Sequence, residues 1–222
     1  MRPKKLKSLF KGGQLESYPK DTVFYSLDFE KKLYLIDSGY VKRHSVNQEE
    51  MKVIESIYGP GYLFPLTPVY AKLLNLKLSK DHNTYIYQAM SDTKVRSITI
   101  DDLARTLKEA PEIYADLLYE AGRRLRANIN RLASNALKDD YKKVALQLVY
   151  LSEEFGKSVR KGVKVSVEIL APLEAIDIAE QLNIPMETVE SIFEKMKGQK
   201  LIKISDRKIT LPDVDMLKAA YL

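Results

Sequence analysis

An α+β fold in three parts is predicted by three observations. Short apolar runs alternating with turn residues extend from about residue 14 to residue 100, one unbroken helical periodicity runs from Pro111 to about Ala136, and two short helical patterns lead into a hairpin pattern between Leu173 and Leu211. They read as a small antiparallel β-barrel or sandwich, a long central helix and a winged helix-turn-helix. With 222 residues the chain can build two medium cores, and its boundaries are expected at residues 1–110, 111–138 and 139–222.

In the first part, TVFYSL, KLYLIDSGYVKRHSV, MKVIESIYGPGYL, TYIYQAM and KVRSITI are the strand-like runs, and Gly39, Gly59-Pro60-Gly61 and Ser91-Asp92 supply corners. A short helix in LKSLFKG precedes them and IDDLARTLKEA follows as a helix that Asp101 or Thr99 can cap. Pro111 then suits the start of a new helix rather than the middle of the old one. Along that helix Tyr114, Leu118, Ala121, Leu125, Ile129, Leu132 and Ala136 recur in steps of three and four, with Arg123, Arg124, Arg126 and Arg131 on the flanks. The seam either packs on its own barrel or forms a two-helix interface between chains. The interface is the expectation, because a single long helix between two domains has little intrachain surface on which to bury both ends.

YKKVALQLVYLSEEFG is a further amphipathic helix. In LEAIDIAEQLN, Leu173, Ile178, Ala179 and Leu182 keep helical spacing, and IPMETVESIFEKMK resumes it with Val189, Ile192, Phe193 and Met196. Asn183 tolerates the positive φ that a tight corner demands, and Pro185 suits the start of the second helix. After Gly198, the runs Leu201 to Ile204 and Ile209 to Leu211 flank the polar tip Ser205-Asp206-Arg207-Lys208 as a wing. The commonest use of such a unit is to enter the major groove of DNA.

Composition narrows the function classes. Hydrophobic residues make up 45% and charged residues 30% of the chain, and no apolar run approaches the length of a membrane span. The basic N-terminus MRPKKLKSLFKGG lacks the apolar stretch of a secretory signal, so a cytoplasmic protein is expected. Without cysteine there are no disulfides and no cysteine-ligated metal sites, and His44 and His82 alone argue against a histidine metal centre. No cofactor, no metal and no enzymatic activity are expected, since there is neither a phosphate-binding glycine loop nor a nucleophile constellation. The net charge is +6, yet residues 139–222 carry 13 bases against 14 acids. Placement matters more than the sum: Glu168 to Glu194 holds seven acids and no base, whereas Lys195 to Lys208 holds six bases and only Asp206.

The order of parts, together with LESYPKDTVFY, KKLYLIDSGYVKRHSV, GPGYLF and IAEQLNIPMETVESIFEKMKGQKLI, resembles the family of the cyclic-AMP receptor protein and the fumarate-nitrate regulator over nearly the whole chain. Glu187-Thr188-Val189 is the most specific piece, and LPDVDMLKAAYL is similar to the last helix that many members carry. The resemblance implies a cupin-like, cyclic-nucleotide-binding-like jelly-roll barrel as sensor, a dimerisation helix and a winged helix-turn-helix. It also implies a homodimer on a palindromic double-stranded DNA operator, with RNA polymerase and a small effector as further partners and no membrane.

Two departures from the family matter. Where cyclic-nucleotide binders hold a phosphate with a Gly-Glu short helix and an Arg-Ser pair, this chain has FPLTPVYAKLLNLKLSKDHNTYIY, with no Gly after Gly61, no Arg before Arg96, and Pro65 and Pro68 lacking the N–H groups a phosphate needs. An effector other than a cyclic nucleotide is expected. Tyr62, Phe64, Tyr70, Leu73, Leu74, Tyr85 and Tyr87 line either an apolar pocket for it or an ordinary barrel core. On the recognition helix, the positions where family members present arginine to guanine hold Met186 and Ser191. Glu187 can accept from a cytosine amino group, Met186 can touch a thymine methyl and Ser191 can bond several bases, with Thr188, Glu190 and Lys195 completing the candidate readout set. Glu190 and Glu194 either oppose phosphates or solvate the outer helix face. Lys197, Lys200, Lys203, Arg207 and Lys208 are the candidate phosphate contacts, a charge run otherwise being a solvated face. The sequence thus predicts a dimeric DNA-binding transcription regulator. The alternative is a degenerate member that serves as a ligand-sensing or protein-interaction module with weak DNA binding.

Overall fold

The computed structural model describes residues 4–24, 31–46, 52–77, 84–161 and 164–219; the end of the TVFYSL run, His82 and the last three residues of LPDVDMLKAAYL lie outside the described residues. The chain divides into two compact units, residues 1–126 and 127–222, with the break inside the long helix.

In the first unit, helix α1 (Lys4–Ser8) and a 3-10 turn (Leu9–Gly12) lead into strands β1 (Gln14–Tyr18), β2 (Val23–Phe24), β3 (Lys32–Ser38), β4 (Val41–Val46), β5 (Lys52–Tyr58) and β6 (Leu63–Phe64). Helix α2 (Thr67–Leu74), strands β7 (Thr84–Ala89) and β8 (Thr93–Thr99), and helix α3 (Ile100–Glu109) follow. Thr99 caps α3, its hydroxyl accepting from the Asp102 N–H at 3.0 Å. Gly39, at φ +85°, makes the β3–β4 corner where a side chain would collide with Asp92 and Thr93.

The expected barrel is not closed. Among the described residues the strands of this unit form two separate antiparallel sheets, in the orders β1-β8-β3-β6 and β2-β7-β4-β5. Two things account for the difference. Strands β2 and β6 have two residues each, too few to carry a ladder from one sheet to the other. In addition, β3 buries four consecutive residues, Leu33 to Ile36, so both of its faces are covered and the second cover is helical. Its inner face meets an aromatic cluster in which Phe64 stacks on Tyr34, Tyr58 and Tyr87 with ring centroids 5.6, 5.7 and 5.2 Å apart. Its outer face, with Leu33 and Leu35, joins Leu6, Phe10, Leu66, Leu103, Leu107 and Leu117 in an aliphatic core.

Helix α4 (Ile113–Asn135) is 23 residues long, about 34 Å at 1.5 Å per residue. In the second unit, α5 (Asp140–Phe155) is capped by Asp139 and runs into β9 (Gly156–Lys161) and β10 (Lys164–Ile169). Helices α6 (Ala175–Leu182) and α7 (Met186–Gly198), strands β11 (Lys203–Ser205) and β12 (Lys208–Leu211), and helix α8 (Val214–Ala219) complete it. The wing strands do not stand alone, since β11-β12-β10-β9 is one antiparallel sheet.

Candidate nucleic-acid interface

Helices α6 and α7 are joined as the sequence demands. Asn183 adopts the left-handed conformation at φ +53° and its N–H closes on the Ala179 carbonyl, and Pro185 at φ −58° precedes the first residue of α7. A buried polar chain fixes α6 against α5: Ser134 Oγ donates to Gln147 Oε1 at 3.4 Å, Gln147 Nε2 to Gln181 Oε1 at 2.7 Å, and Gln181 Nε2 to the Asp177 carbonyl at 3.0 Å. Asp177 Oδ2 in turn accepts from the Glu174 N–H at 2.9 Å, holding the start of α6. Ser134, Gln147, Asp177 and Gln181 are all buried, and the chain of bonds offsets the cost of that burial.

Val189, Ile192, Phe193 and Met196 face the core of the unit, which leaves Met186, Glu187, Glu190, Ser191 and Glu194 as one exposed stripe, with Thr188 half-buried beside it. The stripe carries three carboxylates, and Lys197, exposed on the same face, lies against one of them, Glu194. Lys195 lies with Nζ 4.8 Å from the centroid of the Tyr141 ring, and the Tyr141 hydroxyl donates to Gln199 Oε1 at 2.5 Å. At the wing, Asp206 and Arg207 both have positive φ, +49° and +61°, the backbone of a two-residue type I′ hairpin turn between the paired residues Ser205 and Lys208. Lys200 and Lys203 are exposed.

Three of the candidate phosphate-binding cations are engaged by carboxylates of the same unit. Arg207 Nε lies 3.0 Å from Glu174 Oε1, Lys208 Nζ 3.1 Å from Glu168 Oε1, and Lys197 Nζ 2.6 Å from Glu194 Oε1. These pairs are partly exposed, so each is worth at most about 1 kcal/mol and can exchange with phosphate. The β9–β10 hairpin is not among the elements that the sequence predicts. It brings Lys157 and Arg160, both exposed, and the backbone of Lys161 and Lys164 onto the sheet that holds the wing. The alternation of Val159, Val165, Val167 and Ile169 around Gly162 is the one sequence signal that points to it.

On α4, Leu118, Leu125, Ile129 and Leu132 are 74, 62, 54 and 62% exposed, Tyr114 is exposed and Ala121 half-buried. Ile113, Leu117 and Glu120 face the other way and are buried. Burial pushes the Glu120 carboxyl above its ordinary range, against the pull of Arg123, whose Nη2 bonds it at 2.9 Å.

The aromatic candidates for an effector pocket do not form one cluster. Phe64 and Tyr87 lie inside the ring stack and Tyr62 at its edge, 6.0 Å from Tyr58, whereas Tyr70 on α2 packs against the aliphatic core and its hydroxyl donates to the Leu117 carbonyl at 3.4 Å. Tyr85 is half-buried beneath the Arg43 guanidinium, 4.9 Å away. Three arginines that the sequence offered no reason to place here reach these rings. Arg123 lies 3.4 Å from the Tyr62 ring centroid, Arg124 lies 5.2 Å from that of Tyr58 and donates to the Leu63 carbonyl, and Arg43 pairs with Glu55. Burial raises the Tyr87 phenol far above its ordinary range despite Arg43 and Arg124. Arg96 is held instead at the helix-covered face of the sheet, its Nε 2.7 Å from Asp37 Oδ2.

Comparison with known proteins agrees with this architecture. Residues 142–220 match the Crp-like helix-turn-helix domain. The chain is 26% identical over 220 residues to a CRP-like cAMP-activated global transcriptional regulator of Mycobacterium tuberculosis, covering 98% of this chain and 92% of that protein. Among solved structures it is similar to a CooA mutant from Carboxydothermus hydrogenoformans, with a TM-score of 0.73 and 19% identity over 97% of this chain and 90% of the other. FixK2 from Bradyrhizobium japonicum gives the same TM-score and identity over 93% and 96%. At that identity the two structures speak for the fold.

Proposed function

We infer that the chain belongs to the Crp/Fnr family of transcription regulators, a DNA-binding and non-enzymatic class, and from that premise we propose a homodimer whose two winged helices read a palindromic operator under the control of an effector that is not a cyclic nucleotide. Residues 1–110 would sense, 111–138 dimerise and 139–222 bind DNA, with RNA polymerase as a further partner. The observation that carries the DNA reading is the exposed stripe of α7 next to a hairpin whose tip holds Arg207. Half-sites would lie about 34 Å apart, one turn of the duplex. Genome-fragment selection on the purified protein at moderate salt tests it, and a recovered palindrome is the expected result.

Base readout and phosphate grip should fail differently. Replacing Glu187 by alanine is expected to relax the preference at one base pair per half-site, at about 1–3 kcal/mol on the preferred sequence. Replacing Lys203, Arg207 or Lys208 should weaken all sequences alike and reduce the salt slope by about 0.9 for each phosphate that is no longer neutralised. Unchanged preference in the first variant together with unchanged slopes in the others would favour the interaction-module reading, which the acidic stripe of α7 and the carboxylate-paired wing cations also support.

The effector reading is supported by backbone and side chain alike. Helix α2 opens with Pro68 near its first position, where a phosphate would look for an N–H. Arg96 lies on the helix-covered face of the sheet with Asp37, away from the aromatic cluster, and the three arginines that do reach the cluster are engaged by Glu55, Glu120 and the Leu63 carbonyl. Although the Mycobacterium tuberculosis relative is described as cAMP-activated, calorimetry with this protein is expected to show no micromolar binding of cyclic AMP or cyclic GMP. Micromolar affinity for either would overturn the assignment.

A further inference from the structure

Strand register divides the sheet β11-β12-β10-β9 into two unlike faces. One carries Ile169, Ile209 and Leu211, all buried in the core of the second unit. On the other, a single row crosses all four strands, made of Lys157, Glu168, Thr210 and Lys203. Lys208 stands one step nearer the wing tip on that face, and the register sets Lys161 beside Lys164 at the opposite end, where β9 turns into β10. The level of Lys208 and that of Lys164 are about six residues apart along the strands, roughly 20 Å at 3.4 Å per residue. Five lysine positions therefore share this face with one carboxylate, Glu168, and Lys208 Nζ lies 3.1 Å from it. Lys157 and Lys203 are exposed and form no ion pair with a described carboxylate. The exposed stripe of α7 has the opposite balance, Glu187, Glu190 and Glu194 against Lys197.

We propose that this outer sheet face holds duplex DNA without regard to sequence, apart from α7, and that the β9–β10 hairpin is part of the contact. A duplex carries one negative charge per about 1.7 Å of its axis, so a lysine track of this length displaces several counterions, the source of sequence-independent affinity. The carboxylates of α7 repel the same phosphates. A duplex that makes no base contacts thus gains on the sheet and loses on the helix. The remaining positions of the face are Val159, Ser166, Ser205 and Thr210. With no aromatic or arginine anchor among them, the face is unlike a protein interface, where lysine is depleted. It also lacks the rings on which the bases of a single strand would stack. The inference rests on the DNA-binding reading and deepens it by giving nonspecific contact a surface of its own.

The test is fluorescence anisotropy of the full chain with a labelled mixed-sequence duplex over a range of salt concentrations. Lys157→Gln is expected to weaken binding about tenfold at about 0.1 M salt and to lower the magnitude of the salt slope by about 0.9 for each protomer engaged. Glu168→Gln, which removes the one carboxylate of the face, should strengthen binding several-fold, whereas Glu190→Gln on α7 should leave it unchanged. The proposal is overturned if the wild type does not bind this duplex at low salt, if Lys157→Gln changes neither affinity nor slope, or if Glu190→Gln strengthens binding as much as Glu168→Gln does. Tighter, Lys157-dependent binding of the single strand or of polyglutamate would overturn it as well. The operator reading fails differently, when genome-fragment selection returns no palindrome while the Lys157 dependence on mixed-sequence duplex remains. A recovered palindrome with Lys157→Gln unchanged fails the sheet face alone.

Discussion

Replacing Leu118 and Leu125 together by glutamate is expected to turn the proposed dimer into a monomer whose fold is intact and whose operator binding is weakened. Both side chains are among the most exposed large hydrophobics of the chain, at 74 and 62%, and they recur with Ile129 and Leu132 along one line of α4. Burying each such side chain across a seam contributes about 1.5–3 kcal/mol, so four of them on each helix can outweigh the entropy of association. A carboxylate in their place reverses the sign, since it must be desolvated without a partner. The buried side of α4, with Ile113 and Leu117, is untouched, so circular dichroism should not change. Operator binding should weaken by about 10²–10⁴, the avidity of two linked recognition helices. Sedimentation reads the result directly, and a wild-type monomer at micromolar concentration would remove the basis of the seam.

Gly156→Ala is expected to be the most damaging small substitution in the second unit. Gly156 joins α5 to β9, and a Cβ there would overlap the Ser152 carbonyl oxygen and come within 2.5 Å of Val167 Cγ1. Neither neighbour can move freely, because Ser152 sits in the last turn of α5 and Val167 is paired on both sides, with Ser158 and Leu211. Overpacking of this kind costs about 3 kcal/mol, which for a unit of this size lowers the melting temperature by roughly 10–20 °C. Gly198→Ala is the control, because a Cβ at that helical position meets nothing within 4 Å and should be neutral or slightly stabilising. Equal melting temperatures for the two variants would contradict the packing described for Gly156.

Elements that depend on single residues are the most legible in the sequence. Asn183 takes the left-handed corner and Thr99 caps α3, each for the local reason its residue type suggests, and the polar run Ser205-Asp206-Arg207-Lys208 marks the wing tip. Barrel closure is not legible, because the continuous apolar run in KLYLIDS says that a strand is buried without saying whether a strand or a helix covers its second face. The hairpin of β9 and β10 is faint for a different reason: its alternation around Gly162 is short and is flanked on both sides by the stronger apolar periodicity of α5 and α6.

The candidate site is legible as a helix and a wing and hardly at all as a set of partners. Nothing in the spacing shows that Arg207 meets Glu174 from the other side of the helix-turn-helix, or that Lys208 meets Glu168. The arginines of α4 make the same point. Helical periodicity places Arg123 and Arg124 on the flank of an apolar seam, and only the surrounding sheets decide that they end over Tyr62 and Tyr58.

In the proposed DNA complex the wing tip would link recognition to local order. A type I′ turn is most stable with Asn-Gly at its centre, and holding aspartate and arginine there costs on the order of 1–3 kcal/mol for each residue so placed. Strand β11 adds little to offset this, with three exposed residues at the edge of its sheet. The hairpin therefore opens more cheaply than the strands behind it, and its amides should exchange ahead of those in β10. A duplex that pins the tip suppresses that opening, so part of the intrinsic contact energy is consumed in ordering the wing, and the measured affinity is smaller by that amount.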